Sequence, residues 1–333
     1  MKKILALICA ALMLLSLAAC SSKTETPTGS DAAANIPDGD AVYTVGICQL
    51  VQHEALDAAT KGFKDVLEET FGEGHVIFDE QNAAGDPATC STICDGFVTE
   101  GVDLILANAT PALQAAATAT DSIPVLGTSI TEYGVALGLK DFNGVVGNNV
   151  SGTSDLAPLV DQAKMLTELC PAAKTVGILY CSQEANSIYQ ADVVKAELEK
   201  AGLTVKVYTF ADTNDVSAVT ATACDECDAL YIPTDNTAAS CTEAINNVAQ
   251  PAGVPIIAGE ENLCKGCGVA ALSISYYELG RTTGEMAVQI LMGEADVSEM
   301  AIGYDENPVK KYNEALCTAL NITVPDDYVA IEG

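Results

Sequence analysis

Short apolar runs that stop at small polar residues recur along this chain. The run Ala229-Leu230-Tyr231-Ile232-Pro233 ends at Thr234-Asp235-Asn236, and residues 102–107 end at Asn108-Ala109-Thr110. Val125-Leu126 gives way to Gly127-Thr128-Ser129, and residues 176–180 give way to a polar stretch over 182–187. Runs this short, bounded by turn formers, predict strands buried on both faces of a parallel sheet. Between them the apolar spacing widens: Leu56, Ala59, Phe63, Val66 and Leu67 fall on one helical face. Asp86-Pro87 sets proline at an early position of another helix. In open α/β sheets, ligands bind beyond the carboxyl ends of the strands, where helix N-termini also point. The polar triplets therefore mark where a ligand would sit.

Strands are expected at 42–50, 76–79, 102–107 and 123–126, with helices between them. The pattern turns irregular over 144–154, and a helix resumes over 156–169. A second series follows, with strands at 176–180, 205–210, 230–232 and 255–258 and a helix over 237–249. Two βα series of similar size predict an α/β chain with two lobes. A length of 333 residues fits about two domains, and 49% hydrophobic residues suffice for a substantial core.

Met1-Lys2-Lys3 and the apolar stretch over 4–17 have the form of a secretory signal, too short for a comfortable membrane span. The stretch closes with Leu17-Ala18-Ala19-Cys20, which resembles a bacterial lipobox. Residues 1–19 are thus expected to be a lipoprotein signal peptide, and Cys20 the lipid-bearing start of the mature chain. Residues 20–40 then form a flexible tether rich in Ser, Thr, Gly, Pro and Ala. The expected location is the extracytoplasmic side of the cell membrane. With 15 Lys and Arg against 46 Asp and Glu, the formal net charge is −31, and losing Lys2 and Lys3 with the leader deepens it. Such a surface repels nucleic acid and anionic lipid, so neither is expected as a specific partner.

Five segments then stand in a telling order. They are Gly46-Ile47-Cys48-Gln49-Leu50-Val51-Gln52-His53-Glu54-Ala55-Leu56-Asp57, Asn108-Ala109-Thr110-Pro111-Ala112, Glu184-Ala185-Asn186-Ser187, Pro233-Thr234-Asp235-Asn236 and Tyr276-Tyr277-Glu278-Leu279-Gly280-Arg281. Together they resemble the ABC transporter substrate-binding lipoproteins of the tryptophan/tyrosine-binding type, from about residue 42 to the C-terminus. The resemblance implies a type I periplasmic-binding-protein architecture: two Rossmann-like lobes with parallel sheets, three crossovers, and a ligand cleft between the lobes. It implies a first lobe of 41–155 and 276–303 and a second of 156–275 and 304–333. It further implies a small amino acid-like ligand, aromatic in character, captured by hinge closure and passed to an ABC permease by a monomeric receptor. The chain departs from the usual pattern at Gln52-His53-Glu54, where Glu-His-Pro is commoner, and at Ala258-Gly259-Glu260, where Ser-Asp or Ser-Glu is usual.

An α-amino acid needs donors for its carboxylate and an acidic partner for its ammonium. Thr110, Thr128 and Ser129 end strands of the first series, and Asn186 and Ser187 would face them from the second. As helix caps or turn residues, the same side chains would serve structure alone. For the ammonium, Asp235 is the first choice and Glu260 the second, although Asp235 also suits the N-cap of the helix that follows. The resembling segments add Gln49, Glu54, Pro111, Asn236 and Tyr276 to the expected ligand-binding set. There is no Trp, so stacking surface would come from Tyr133, Tyr189, Tyr276 or Tyr277.

Thirteen cysteines include Cys9 in the leader and Cys20. Cys224-Asp225-Glu226-Cys227 and Cys264-Lys265-Gly266-Cys267 are two CxxC pairs, and Cys90 and Cys94 lie a helical turn apart. The gap between the pairs exceeds common zinc spacing. Cys224 precedes a strand, whereas a thioredoxin-like motif opens a helix after one. His53-Glu54-Ala55-Leu56-Asp57 lacks the second His of a zinc protease, and no GxSxG elbow or P-loop is present. No cofactor, metal or catalytic residue is expected. Two other readings remain: a nucleoside- or sugar-binding lipoprotein of the same fold, and a cysteine-based redox or metal protein.

Overall fold

A computed structural model describes residues 41–305 and 307–332. The expected signal peptide, Cys20 and the tether lie outside the described residues. The first half sets down β1 (Tyr43–Gln49), β2 (Val76–Asn82), β3 (Leu104–Asn108), β4 (Val125–Ile130) and β5 (Val150–Ser154). Between them run α1 (Glu54–Phe71), α2 (Pro87–Glu100), α3 (Thr110–Ala119) and the short α4 (Tyr133–Leu137). After α5 (Leu159–Leu169) come β6 (Thr175–Cys181), β7 (Thr204–Phe210), β8 (Ala229–Ile232), β9 (Ile256–Ala258) and β10 (Ala270–Ser273). They are linked by α6 (Ala185–Lys200), α7 (Val216–Glu226), α8 (Asn236–Ala239), α9 (Thr242–Ala252) and α10 (Glu261–Cys267). Then α11 (Tyr276–Leu291) and β11 (Gly303–Tyr304) return to the first half. Finally β12 (Val309–Tyr312), α12 (Glu314–Ala319) and β13 (Val329–Ala330) rejoin the second.

The strands form two sheets, ordered β11-β5-β4-β3-β1-β2 and β13-β12-β10-β9-β8-β6-β7. Every pairing is parallel except that of β10 with β12. Strand order reverses between β1 and β3 in one sheet and between β6 and β8 in the other, which puts a ligand crevice beyond those carboxyl ends. The chain passes between the sheets three times, at 155–158, 274–275 and 305–308. Tyr304, assigned on sequence to the second lobe, pairs with Ser154 in the first sheet.

Burial on both faces explains the continuous apolar runs. Val45 and Ile47 of β1 pack with Phe63, Leu67 and Met286, while Cys48 packs on the opposite face with Phe97 and Leu113. In the second sheet, Ile178 and Tyr231 join Leu166 and Val194, and Leu230 and Ile232 face Leu263. The helix pair α1/α11 locks the returning segment onto the first lobe. A Cβ on Gly280 would lie 2.0 Å from Ala59 O, and one on Gly62 would lie 2.1 Å from Tyr277 O, so both contacts require glycine. This close approach fixes where Tyr276 enters the cleft.

Several elements differ from the sequence pattern, among them β10, a buried strand that no expected element covers. The stretch read as irregular ends in β5, Val-Ser-Gly-Thr-Ser, which is wholly buried. Its side chains are too small and polar to display a strand period. Tyr133 Oη holds this region, lying 3.0 Å from Gly127 O and 3.1 Å from Thr153 O, so this tyrosine clamps strands. The helix expected over 237–249 breaks into α8 and α9. Ser240 Oγ (2.7 Å) and Cys241 Sγ (3.0 Å) both donate to Thr237 O, competing with the helical ladder there. No helix among the described residues is long and apolar enough to cross a membrane.

Candidate functional site

The carboxyl ends of the two sheets face each other, and side chains already meet across the gap. His53 Nε2 lies 3.3 Å from Asn236 Oδ1, and Gln190 Nε2 donates to Thr131 Oγ1 at 3.3 Å. With its amide turned to satisfy both partners, Asn262 donates to Glu54 Oε2 (3.1 Å) and accepts from the Ala55 N–H (3.2 Å). A cavity of about 130 Å³ opens between Leu50, Val51 and Pro111 on one side and Glu184, Asn236 and Thr237 on the other.

On the first-lobe wall, several buried polar atoms have no hydrogen-bond partner. Asn108, at the end of β3, donates through Nδ2 to Leu56 O and Thr60 Oγ1 (both 2.9 Å), leaving Oδ1 unpartnered. Ser129 is 6% exposed, has a left-handed φ of 58°, and its Oγ is unpartnered. A non-glycine residue in that region is a local strain that the surrounding structure must hold. Beside it, α3 starts at buried Thr110 with Ala109 as its N-cap and no side chain capping it. Asp155, in the first crossover, is 4% exposed. Its Oδ2 accepts from Tyr276 Oη (2.8 Å), while Oδ1 is unpartnered. Burial pushes its pKa up to about 6.

The second-lobe wall is closed upon itself. Glu184 accepts from the N–H groups of Asn236 and Thr237 (both 2.9 Å), from Thr237 Oγ1 (2.8 Å), and from Asn236 Nδ2 (2.7 Å) and Asn186 Nδ2 (3.1 Å). Asp235 accepts from the Cys181 N–H (2.7 Å), Ser187 Oγ (2.7 Å) and the Ala238 N–H (2.8 Å), which caps α8. Burial, reinforced by the neighbouring Glu184 charge, holds Asp235 well above the usual carboxylate range. Glu260 caps α10 through the N–H groups of Asn262 (2.7 Å) and Leu263, and burial pushes it up to about 7. Asn186 donates to Thr234 O (3.0 Å) and, like the first-lobe residues, leaves a buried Oδ1 unpartnered.

The residues expected to bind ligand therefore separate into groups. Thr110, Ser129, Asn186 and Tyr276 are buried at the strand ends, and Pro111 and Asn236 line the cavity. Gln49 is turned inward, donating to Asp57 Oδ1 (2.7 Å) and accepting from Thr60 Oγ1 (2.7 Å). Thr128 faces Thr153 (3.4 Å), which in turn meets Thr283 of α11 at 2.7 Å, inside the first lobe. Ser187 is tied to Asp235, and Glu54 sits exposed at the rim. Of the other aromatics, Tyr189 is half-buried and Tyr277 of α11 turns to α1, donating to Asp65 Oδ2 (2.8 Å). Both carboxylates expected to hold an ammonium, Asp235 and Glu260, are engaged as helix caps. The carboxylate with an unpartnered oxygen is Asp155, which sequence reasoning passed over. It directly follows β5, a strand that the sequence pattern does not display.

The eleven cysteines among the described residues are free thiols. Burial raises the pKa of Cys224 to about 11 and pushes Cys264 and Cys267 higher still, the opposite of a reactive thiolate. Among the described residues, no three His, Cys, Asp or Glu side chains are grouped to hold a metal ion.

Comparison with known proteins agrees with this geometry. The family described as ABC transporter substrate binding protein matches residues 44–331. A curated tyrosine-binding protein from Clostridioides difficile is 34% identical over 296 residues, covering 88% of this chain and 85% of that protein. The ABC domain of Streptococcus pneumoniae in complex with L-Trp is 33% identical, with a TM-score of 0.81 over 86% of this chain and 97% of that one. The ligand-free, open structure of a Clostridium difficile substrate binding protein with adhesive properties is 37% identical. It has a TM-score of 0.65 over 87% of this chain and 100% of that one. A doubly wound pair of lobes, a polar cleft at their switch points and these relatives lead to one conclusion: the chain belongs to the ABC transporter substrate binding protein family.

Proposed function

We propose that the chain binds an aromatic amino acid, tyrosine or tryptophan in type, in the interlobe cleft and delivers it to an ABC permease. The observation that carries this reading is the set of buried, unpartnered polar atoms at the strand ends: Asn108 Oδ1, Ser129 Oγ and Asp155 Oδ1 on one wall, Asn186 Oδ1 on the other. Buried polar groups are costly without partners, and a zwitterion supplies both a donor and an acceptor. The carboxylate would sit at the uncapped start of α3, with Thr110 and Ser129, and the ammonium among the acceptor oxygens. An aromatic side chain would extend toward Leu50, Val51 and Pro111.

Closure of the lobes is the working step, because a ligand touching both walls stabilises the closed state. The arrangement here supports this: the chain superposes better on the L-Trp complex than on the open relative, although it is more identical to the latter. Binding proceeds without turnover, and the receptor acts as a monomer held at the extracytoplasmic face by a lipid on Cys20. A thermal-shift screen of the full-length protein against amino acids, nucleosides and sugars tests the reading. Tyrosine, tryptophan or phenylalanine should raise the melting temperature. A rise with nucleosides or sugars alone would keep the fold and overturn the ligand class.

A further inference from the structure

We propose that the cleft recognises its ligand chiefly through a cationic ammonium and only secondarily through a carboxylate, so that it also takes aromatic primary amines lacking the acid group. The inference rests on the aromatic amino acid reading of the cleft and extends its ligand class.

The charge inventory is one-sided. Among the described residues, the charged side chains in the buried class are Asp155, Glu184, Asp235 and Glu260, with no buried Lys or Arg. Each follows the carboxyl end of a strand, after β5, β6, β8 and β9 respectively. All four therefore stand at the carboxyl ends of the two sheets. Three are saturated by donors from their own lobe, so their oxygens are engaged. Asp155 alone keeps a buried oxygen without a partner, and it is joined by the amide oxygens of Asn108 and Asn186.

Hydrogen bonds link the segment beside Asp155 to Asn186 across the cleft. Ser154 Oγ, next to Asp155, donates to Thr131 O at 2.8 Å. Gln190 Nε2 then reaches both Thr131 Oγ1 and Thr234 O at 3.3 Å, and Asn186 Nδ2 donates to that same Thr234 O at 3.0 Å. Buried acceptors without donors suit the hydrogens of an ammonium group, which is a donor only.

A carboxylate finds weaker provision. It meets the Ser129 hydroxyl, the unpartnered Nδ1 of His53, whose pKa burial lowers, and the start of α3, whose helix dipole amounts to roughly half a charge. It must also approach the buried, unsaturated carboxylate of Asp155. An ammonium meets a full opposite charge at Asp155, the stronger kind of hydrogen bond.

Titration calorimetry on the full-length protein decides the matter. The probes are tyrosine and tryptophan, their amines without carboxylate (tyramine and tryptamine), and their acids without ammonium (hydroxyphenylpropanoate and indolepropanoate). For whichever parent binds, the amine should bind at least about 10-fold tighter than the acid. An acid that binds as tightly as the amine overturns the proposal. If neither parent amino acid binds, the reading of the cleft itself fails, an outcome distinct from a reversed order among the truncated ligands. In Asp155→Asn, the amine should weaken by about 10-fold or more while the acid holds or improves, because a repelling charge has gone. Equal weakening of both would mark Asp155 as structural and count against the proposal. The ligand series on the unaltered protein stands whether or not that variant folds.

Discussion

Glu184, Asp235 and Glu260 on the second-lobe wall are each held by N–H and hydroxyl donors from their own lobe, and each secures the start of a helix. On the facing wall, Asn108, Ser129 and Asp155 keep atoms without partners, and α3 starts with no side-chain cap. The second lobe thus offers a rigid surface whose hydrogen bonds are complete before ligand arrives, apart from Asn186 Oδ1. The first lobe holds most of the unmet demand. Preorganisation of one wall lowers the ordering cost of binding, and unmet demand on the other supplies specificity. A residue's acidity alone does not say which job it does.

This contrast can be broken most forcefully at Glu184. Glu184→Ala removes four accepted hydrogen bonds at the start of α8 and a fifth from Asn186 of α6, and should cost about 3 kcal/mol of stability, read by chemical denaturation. A loss below about 1 kcal/mol would mean the saturated network is not what holds that wall.

Stability should also respond to pH. Asp155 rises from 3.8 to about 6 and Glu260 from 4.5 to about 7 on folding, both through burial. Each binds its proton more tightly folded than unfolded, so proton binding favours the folded state and stability falls as pH rises from about 4 to 7. Ligand-free protein should therefore be less stable at pH 8 than at pH 5, by roughly 2 kcal/mol after allowance for relaxation. Equal denaturation midpoints at the two pH values would contradict the burial of these carboxylates.

On the first wall the expected pattern inverts. Ser129→Ala should lower ligand affinity about 10-fold by calorimetry, yet change stability by less than about 1 kcal/mol, because its hydroxyl has no internal partner to lose. The reverse result, lost stability with unchanged affinity, would erase the distinction between the walls. Smallest of all, Lys195→Ala removes an exposed ion pair with Glu199 far from either wall. It should alter stability by no more than about 0.5 kcal/mol and leave affinity untouched.

Much of the fold was legible in the residues. Buried parallel strands announce themselves as short apolar runs, and β1, β3, β6 and β8 lie close to where such runs were read. β10 and β5 escaped notice, the latter because Val-Ser-Gly-Thr-Ser has neither bulk nor period. Missing β5 also hid Asp155, since a strand end cannot be located when the strand is not seen. The polar triplets do lie at strand ends, but they do not tell which way each side chain turns. Thr128 and Ser129 are neighbours, yet one reaches into the lobe and the other is left with an unpartnered hydroxyl. That outcome depends on the left-handed backbone at Ser129, which nothing in its residue type announces. Asp235 and Glu260 likewise read equally well as caps or as ligand partners, and only their donors decide.

The most direct measurement is a crystal structure of the protein with bound tyrosine or tryptophan. The expected result is a ligand enclosed between the lobes, its ammonium within hydrogen-bond reach of Asp155 Oδ1 and its carboxylate at Ser129 and the start of α3. A ligand lying elsewhere, or one whose ammonium is held by Asp235 while Asp155 Oδ1 stays apart from it, would contradict the division of labour between the two walls.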